Sequence, residues 1–546
     1  MEHGGNAPAS IDQSTYDRRW YTLSVLCLSL LIVSIGNSSL NVAIPTLSRD
    51  LAATSSQLEW VVAIYSLVFA GLLFTTGALG DRFGRKGALQ AGLVVFVVGA
   101  ALASASSQMW EIIGCRAIMG LGGALIMPST LSILVNVFPP HERAKAIAIW
   151  AGTSGGGGAF GPLVSGWLLG HFWYGSVFLV NVPIIAIALV AGHFFVPSSK
   201  DPDQGQIDPG GAILSIIGIS ALVYGLIEAP DKGWTSATTL LTFAVAVVVM
   251  VGFVFWEMRV AEPMLDMSFF RNAAFSTATG GMILLFLSMY GLFFLITQYL
   301  QLTLGYSALV AALRLAPVGL IMMVVAPTTP KFTARFGTKK TVSGGMLLIA
   351  VGMVMFRGLA LDTSYLYLIA CFVVFFPGMA LSMSPMTASI MSAVPARRAG
   401  AGSAMNDATR ELGSSLGVAI LGSLAASQFT TTLKGLTRGL DPVARATAES
   451  SLTGALQTAK TLPASAAAAL SRGANLAFLD GLHLAVTVGA IVAASASLLV
   501  YRFLPERASI HGGHDAGARN EDSIESLETT ATLGLGGVEQ LLMPGD

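Results

Sequence analysis

Apolar residues fill runs of about 25 positions, separated by short polar breaks, along nearly the whole chain. A helix needs roughly 20 mostly apolar residues to cross a bilayer. Runs of that length begin near Trp20, Trp60, Gly87, Trp110, Ala144, Ser176 and Pro209. Seven more begin near Ala237, Ala274, Ala308, Thr341, Tyr365, Ala399 and Gly481. The pattern predicts fourteen spanning helices, an all-α membrane protein, and both termini on one side of the bilayer.

Basic residues set the expected orientation, because short cytoplasmic loops collect Lys and Arg. With the N-terminus inside, nineteen Lys and Arg residues fall in cytoplasmic segments, among them Arg82, Arg85, Lys86, Lys339 and Lys340. The short outer loops hold only Arg49, Lys232 and Arg357. Both termini are therefore expected in the cytoplasm. The first run is too long for a signal-peptide core and reads as a retained span.

Two echoes point to an internal repeat. Asp81-Arg82-Phe83-Gly84-Arg85-Lys86 follows the second run, and Ala334-Arg335-Phe336-Gly337-Thr338-Lys339 follows the tenth. Met127-Pro128-Ser129-Thr130 through Pro139 pairs with Ser384-Pro385-Met386-Thr387 through Pro395. Runs one to six and nine to fourteen then form two six-helix units, and parallel repeats of this kind bracket a midplane site in secondary transporters. The expected division is a cytoplasmic tail at 1–19, a first bundle at 20–197 and a two-helix insert at 198–258. A second bundle follows at 259–503, with a long outer segment of short helices at about 430–480, and the acidic, Gly- and Ser-containing stretch 504–546 reads as a disordered tail.

Composition narrows the function. Charged residues make up 11% and hydrophobic ones 54%, against about 25% charged in soluble domains, so a soluble enzyme is excluded. The 30 basic and 30 acidic side chains cancel, leaving no global attraction to nucleic acid. Cys27, Cys115 and Cys371 lie far apart in apolar runs, which gives neither a disulfide framework nor a zinc spacing. No metal or cofactor site is expected, and the absence of Gly-x-x-x-x-Gly-Lys-Ser/Thr leaves no built-in ATPase motor.

Charges inside the spans are the candidate chemistry, since each costs roughly 2.5–3.5 kcal/mol at the bilayer centre. Asp407, Arg410 and Glu411 share one side of the thirteenth span at i, i+3 and i, i+4 spacing. They must line a cavity or a helix interface, as a proton-exchanging pair of acids around Arg410 or as a static buried network. Arg116 lies two turns into the fourth span, as a proton-path residue or a structural ion-pair partner. Glu59 and Glu111 adjoin Trp60 and Trp110 at the interfacial belt and read as solvated.

The segment Gly77-Ala-Leu-Gly80-Asp81-Arg82-Phe83-Gly84-Arg85-Lys86 could by itself be only a topogenic basic loop. Its residue order is identified as the signature loop of the major facilitator superfamily. Asn41-Val-Ala-Ile-Pro45, Gly161-Pro162-Leu-Val-Ser165-Gly166, Phe178-Leu-Val-Asn181-Val-Pro183, Tyr299-Leu-Gln301 and Gly305-Tyr306-Ser307 resemble its fourteen-span drug:proton antiporter family (EmrB/QacA-like). The resemblance runs from about Trp20 to Phe503. It implies the major facilitator fold, two rocking six-helix bundles with two inserted helices, and export driven by proton entry.

It also implies roles for residues. Gly77, Asp81, Arg82, Gly84, Arg85 and Lys86 would form a conformational gating loop. Gly157, Gly161, Pro162 and Gly166, within the run of Gly152 and Gly155 to Gly158, would form an antiporter motif sealing the bundle interface; ordinary close packing is the alternative. Arg116 matches the family's buried arginine, and Asp407, Arg410 and Glu411 would complete proton coupling. One departure stands out: Ile35-Gly36-Asn37-Ser38 takes the place of the family's Leu-Asp-x-Thr, so the expected membrane aspartate is Gly36. No acid occurs between Arg271 and Leu361 either. Neutral, zwitterionic or anionic substrates are therefore expected over dicationic ones.

The expected partners are an amphiphilic small molecule, protons and the lipid bilayer, with the chain monomeric and its substrate-binding residues unspecified. Export of a drug or cell-made metabolite is the leading reading. Movement of a lipid or siderophore-like product, or symport, is the alternative, and a receptor or scaffold fits the motifs poorly.

Overall fold

The computed structural model describes residues 13–51, 55–199 and 208–506. The expected polar tail before Gln13, Lys200 of the expected two-helix insert, and the expected disordered tail beyond Glu506 lie outside the described residues. Every regular element among the described residues is helical.

The first group comprises α1 (Gln13–Asp50), α2 (Ser55–Phe83), α3 (Arg85–Ala105), α4 (Met109–Val137), α5 (Pro140–His171), the single turn α6 (Ser176–Leu179) and α7 (Asn181–Phe195). A hairpin of α8 (Pro209–Lys232) and α9 (Ala237–Glu257) follows. The second group comprises α10 (Ala273–Gln298), α11 (Ala308–Val325), α12 (Thr329–Phe336), α13 (Thr338–Phe356), α14 (Tyr365–Ser392) and α15 (Ala399–Leu433). Short α16 (Pro442–Ser450) and α17 (Leu452–Ala459) precede the last helix, α18 (Ala464–Phe503).

All fourteen expected runs are helical. Thirteen helical stretches are long and apolar enough to cross a membrane. The remaining long helix, α5, is diluted by Gly155–Gly158 and is not among them, so thirteen such helices stand against the fourteen spans expected, a count compatible with that expectation. Exposed apolar side chains such as Leu241 and Val248 on α9 face outward, as a lipid solvent requires. Exposed Trp110, Trp167 and Trp173 mark one end of the bundle. Exposed Phe83, Phe336, Tyr501 and Phe503 mark the other, the placement of interfacial aromatic belts.

The outer segment is shorter than expected. α15 runs to Leu433 and α18 begins at Ala464, about five turns before the expected start near Gly481. Ala464–Leu470 is nearly all alanine, the strongest helix former, and simply extends the span. Only 434–463 lies between the two helices, and it does contain the expected short helices.

The packing repeats as the echoes predict. α5 packs on α1 as α15 packs on α10, and α4 on α3 as α14 on α13. Between the groups, α5 lies on α11 as α15 lies on α2, and α4 meets α15 as α14 meets α5. The α8–α9 hairpin has no counterpart; α8 packs on α2 and α15. Arg19 Nε to Glu142 Oε2, at 2.6 Å, ties α1 to α5. That hydrogen bond holds the Glu142 carboxyl below its ordinary range.

Candidate functional site: a two-group interface with charges at mid-depth

The interface is closed at the Phe83 end by the Asp81 loop. Gly84, with φ 115°, turns the chain between α2 and α3 in a conformation that a side chain would strain. Asp81 is buried; its Oδ2 accepts the Gly400 N–H at 2.7 Å and its Oδ1 pairs with Arg85 at 2.7 Å. Gly400 stands in the first turn of α15, where unpaired N–H groups and the helix dipole favour an anion. Arg85 Nη2 then donates to Ala396 O at 3.0 Å and Arg397 O at 2.8 Å. The first group thus holds the start of α15 by its charges. Gly77 permits the approach, because a Cβ there would stand 2.8 Å from Gly400 O. Lys86 Nζ caps His193 O at 2.7 Å, and Arg82 lies beside the Phe83 ring.

The glycines of α5 divide by face. Cβ atoms at Gly157 and Gly161 would meet Ser34 and Ser38 of α1, whereas at Gly152 and Gly166 they would meet Ala326 and Leu309 beyond and on α11. Small residues thus seat α5 within its own group and against the other group at once. Pro162 lies inside α5 without ending it. Gly158 is exposed with open space around it, so the glycine run is not a uniform packing surface.

At mid-depth the two groups bring charges together. Asp407 is buried, with Oδ1 3.7 Å from Arg410 Nη1 and 3.3 Å from Asn406 Nδ2; Oδ2 has no partner. Asn406 is anchored in turn by Thr387 of α14, whose hydroxyl donates to its Oδ1 at 3.0 Å. Arg410 reaches across to Ser154 Oγ of α5 and lies near the Trp150 and Phe286 rings. Glu411, half-buried, points to Ser66 of α2. Of the expected triad, Asp407 and Arg410 meet, whereas Glu411 turns to the opposite group.

Arg116 is fully buried and stands apart from this cluster. Its Nε donates to Val61 O at 3.1 Å and its Nη1 to Gly36 O at 3.1 Å, while Cζ lies 4.3 Å from the Tyr65 ring centre. Glu111 behaves as its position at the belt suggests: exposed, it accepts the Ser107 N–H at 2.8 Å and caps α4. The Glu59 side chain lies outside the described residues. Arg314 sits against the Tyr306 and Tyr365 rings.

Sequence reasoning missed Tyr65, Ser66, Trp150, Ser154 and Asn406. Trp150 and Ser154 carried one signal, a polar edge at i, i+4 spacing on a glycine-rich helix. Tyr65 and Ser66 carried none, because only the packing of α2 against α4 and α15 gives them these neighbours.

The comparisons agree with this architecture. The Major Facilitator Superfamily model matches residues 26–418. The chain is 36% identical over 487 residues to the multidrug efflux pump LfrA of Mycolicibacterium smegmatis, covering 89% of this chain and 96% of that protein. It is 34% identical over 470 residues to the methyl viologen resistance protein SmvA of Salmonella typhimurium, covering 85% and 93%. Among solved structures, the human organic anion transporter MFSD10 shares the fold with a TM-score of 0.57 at 13% identity, covering 88% of this chain and 99% of that one. A paired two-group helical architecture, the Asp81 loop clamped on α15 and these matches together make the chain a multi-pass membrane transporter that belongs to the Major Facilitator Superfamily.

Proposed function

We propose that the protein exports amphiphilic small molecules across the cell membrane, drugs or antibiotics among them, by alternating access coupled to proton entry. The observation that carries this reading is the cluster of buried Asp407 with half-buried Arg410 and Glu411 at the interface of the two groups. Asp407 pairs with Arg410 of its own helix, while Arg410 and Glu411 reach α5 and α2 of the other group. A carboxylate that gains or loses a proton there changes which partner it prefers, and so biases one arrangement of the groups over another. Moving one proton down a 100 mV potential releases about 2.3 kcal/mol, enough for a roughly fiftyfold gradient at full coupling. Arg116, buried on the Trp110 side of this cluster, raises the local positive potential along the same path.

The two moving bodies are 20–197 and 259–503, with 198–258 inserted between them. Both termini are cytoplasmic, so the Asp81 clamp closes the inner mouth, and the Gly157–Gly161–Pro162–Gly166 face of α5 keeps the interface tight while the bodies rock. A monomer suffices, since each body carries part of the site. The efflux and resistance names of the two relatives support the direction and the substrate class.

The test is proton flux in proteoliposomes carrying a pH-sensitive dye, driven by a panel of amphiphilic drugs. Drug-dependent flux in the wild type, and its loss in Asp407→Asn with drug binding retained, is the expected result. Drug-independent or absent flux overturns the reading.

A further inference from the structure

Arg116 is a permanent cation with incomplete internal pairing. Guanidinium cannot shed its charge, and an uncompensated buried charge is costly. Yet no carboxylate pairs with it among the described residues. Two of its nitrogens bond backbone carbonyls, and Nη2 has no partner. The Tyr65 ring beneath it is also buried, with its hydroxyl unpartnered over Gly123. Two fully buried donors on neighbouring helices, Arg116 Nη2 and the Tyr65 hydroxyl, therefore stand without a partner.

Among the described residues no side chain supplies the missing anion. On α1 the position opposite Arg116 is Gly36, which offers only a carbonyl, and a Cβ there would come 2.7 Å from the Phe96 ring. Asp407 is engaged by Arg410 and Asn406, and Glu411 points to Ser66. The Tyr65 ring lies against the Arg116 guanidinium, with Cζ 4.3 Å from the ring centre. The helices that carry them, α2 and α4, both pack on α15 of the other group and so border the interface where alternating access admits cargo.

We propose that Arg116 and Tyr65 form a subsite for the carboxylate of an amphiphilic substrate, which serves as the counter-ion that the chain omits. This deepens the export reading and rests on it for the word substrate. An arginine recognises a carboxylate through charge-assisted hydrogen bonds, and the apolar body of the cargo would extend along the interface toward Phe286 and Trp150.

The experiment measures equilibrium binding of 9-anthracenecarboxylate and its methyl ester to the purified full-length protein in nanodiscs, by probe fluorescence. The wild type should bind the carboxylate roughly tenfold or more tighter than the ester, as a hydrogen bond to a charged group provides. Arg116→Gln should erase that preference, and Tyr65→Phe should reduce it by about threefold, both leaving ester binding within twofold. Gly36→Asp, which supplies an internal carboxylate, should also erase it. Absence of a carboxylate preference in the wild type overturns the proposal. So does an equal change for both probes in Tyr65→Phe and in whichever of Arg116→Gln and Gly36→Asp folds, since Arg116 would then be structural or a partner of Glu411. Carboxylate preference without any drug-driven proton flux would leave the subsite standing and remove the transport reading.

Discussion

Helices α5 and α15 occupy matching places in the two groups, and they share a scaffold while differing in chemistry. Ser154 and Arg410 touch each other across a spacing of 256 residues. The same spacing relates Gly157 to Gly413, Gly161 to Gly417 and Trp150 to Asn406. Gly157 and Gly161 let α5 close on α1, as Gly413 and Gly417 let α15 close on α10. Trp150 bonds Thr130 of α4, and Asn406 bonds Thr387 of α14. Where α15 carries Asp407 and Glu411, however, α5 carries Ala151 and Gly155.

The loops show the opposite bias. Gly84 and Gly337 both have positive φ, and the chain after each group's last helix closes the turn, with Ser199 O accepting Arg85 N–H and Glu506 O accepting Thr338 N–H. Asp81 and Arg85 of the first loop are Ala334 and Thr338 in the second. Backbone geometry was kept in both copies, whereas the clamp charges remain in one group and the midplane acids in the other. A duplicated scaffold can thus divide its chemistry: one group carries the charged loop that clamps α15, and the other carries the buried acids to which we assign proton coupling.

The largest expected effect comes from breaking the midplane half of this asymmetry. Asp407→Asn should abolish uphill export in energised vesicles, below the limit of a transport assay, while the purified protein keeps its helical circular dichroism and its drug binding. Glu411→Gln should lower the rate by less, the outcome expected of a residue that only tunes Asp407. Unchanged gradient-driven export in Asp407→Asn would make the cluster structural.

The loop half is broken by Asp81→Asn, which weakens the pairing with Arg85 and the Gly400 N–H. Breaking a buried ion pair costs about 3–5 kcal/mol, here taken from the clamped state, so export should fall at least tenfold. Placing the acid in the other copy, Ala334→Asp, should change export by less than about twofold. Comparable losses from both would mean that the two loops do the same work.

Packing at the matched glycines sharpens the scaffold half. A Cβ at Gly417 would stand 2.3 Å from Leu287 O and 3.0 Å from Gly291 N, backbone atoms that cannot turn aside. At Gly161 the nearest atom is the rotatable Ser38 hydroxyl, and at Gly158 nothing lies within 4 Å. Overpacking costs about 1–3 kcal/mol, so Gly417→Ala should lower the unfolding temperature most, Gly161→Ala less and Gly158→Ala almost not at all, read by thermal unfolding in detergent. A reversed order would remove the assigned tight approach.

The mildest change tests orientation alone. Single cysteines at Ser450, exposed on α16, and at Thr338, beside the second loop, should leave export intact. An impermeant maleimide applied to intact cells should label only the cysteine at position 450. Labelling at position 338 would overturn the arrangement with both termini inside.

The all-helical membrane fold, the repeat and the Asp81 loop were legible in the chain itself. Length and apolarity decide a membrane span within one segment, because lipid leaves the backbone no other way to satisfy its hydrogen bonds. The Asp81 loop was legible because its glycines, acid and bases are contiguous. Asp407, Arg410 and Glu411 stood out because a charge inside an apolar run has a high cost wherever it lies. What those charges face was not legible. Ser154, Ser66 and Tyr65 are ordinary side chains in distant segments, and only the packing of α5 against the second group and of α2 on α4 and α15 sets them beside the charges. The start of α18 at Ala464 also escaped, because an alanine-rich stretch reads equally as an outer helix or as the first turns of a span. Most of all, a lone arginine in a sequence carries no sign of whether it is paired. That Arg116 ends on the carbonyl of Gly36, with one nitrogen open, was decided by the tertiary structure, since burial and partnership belong to neighbours and not to the residue.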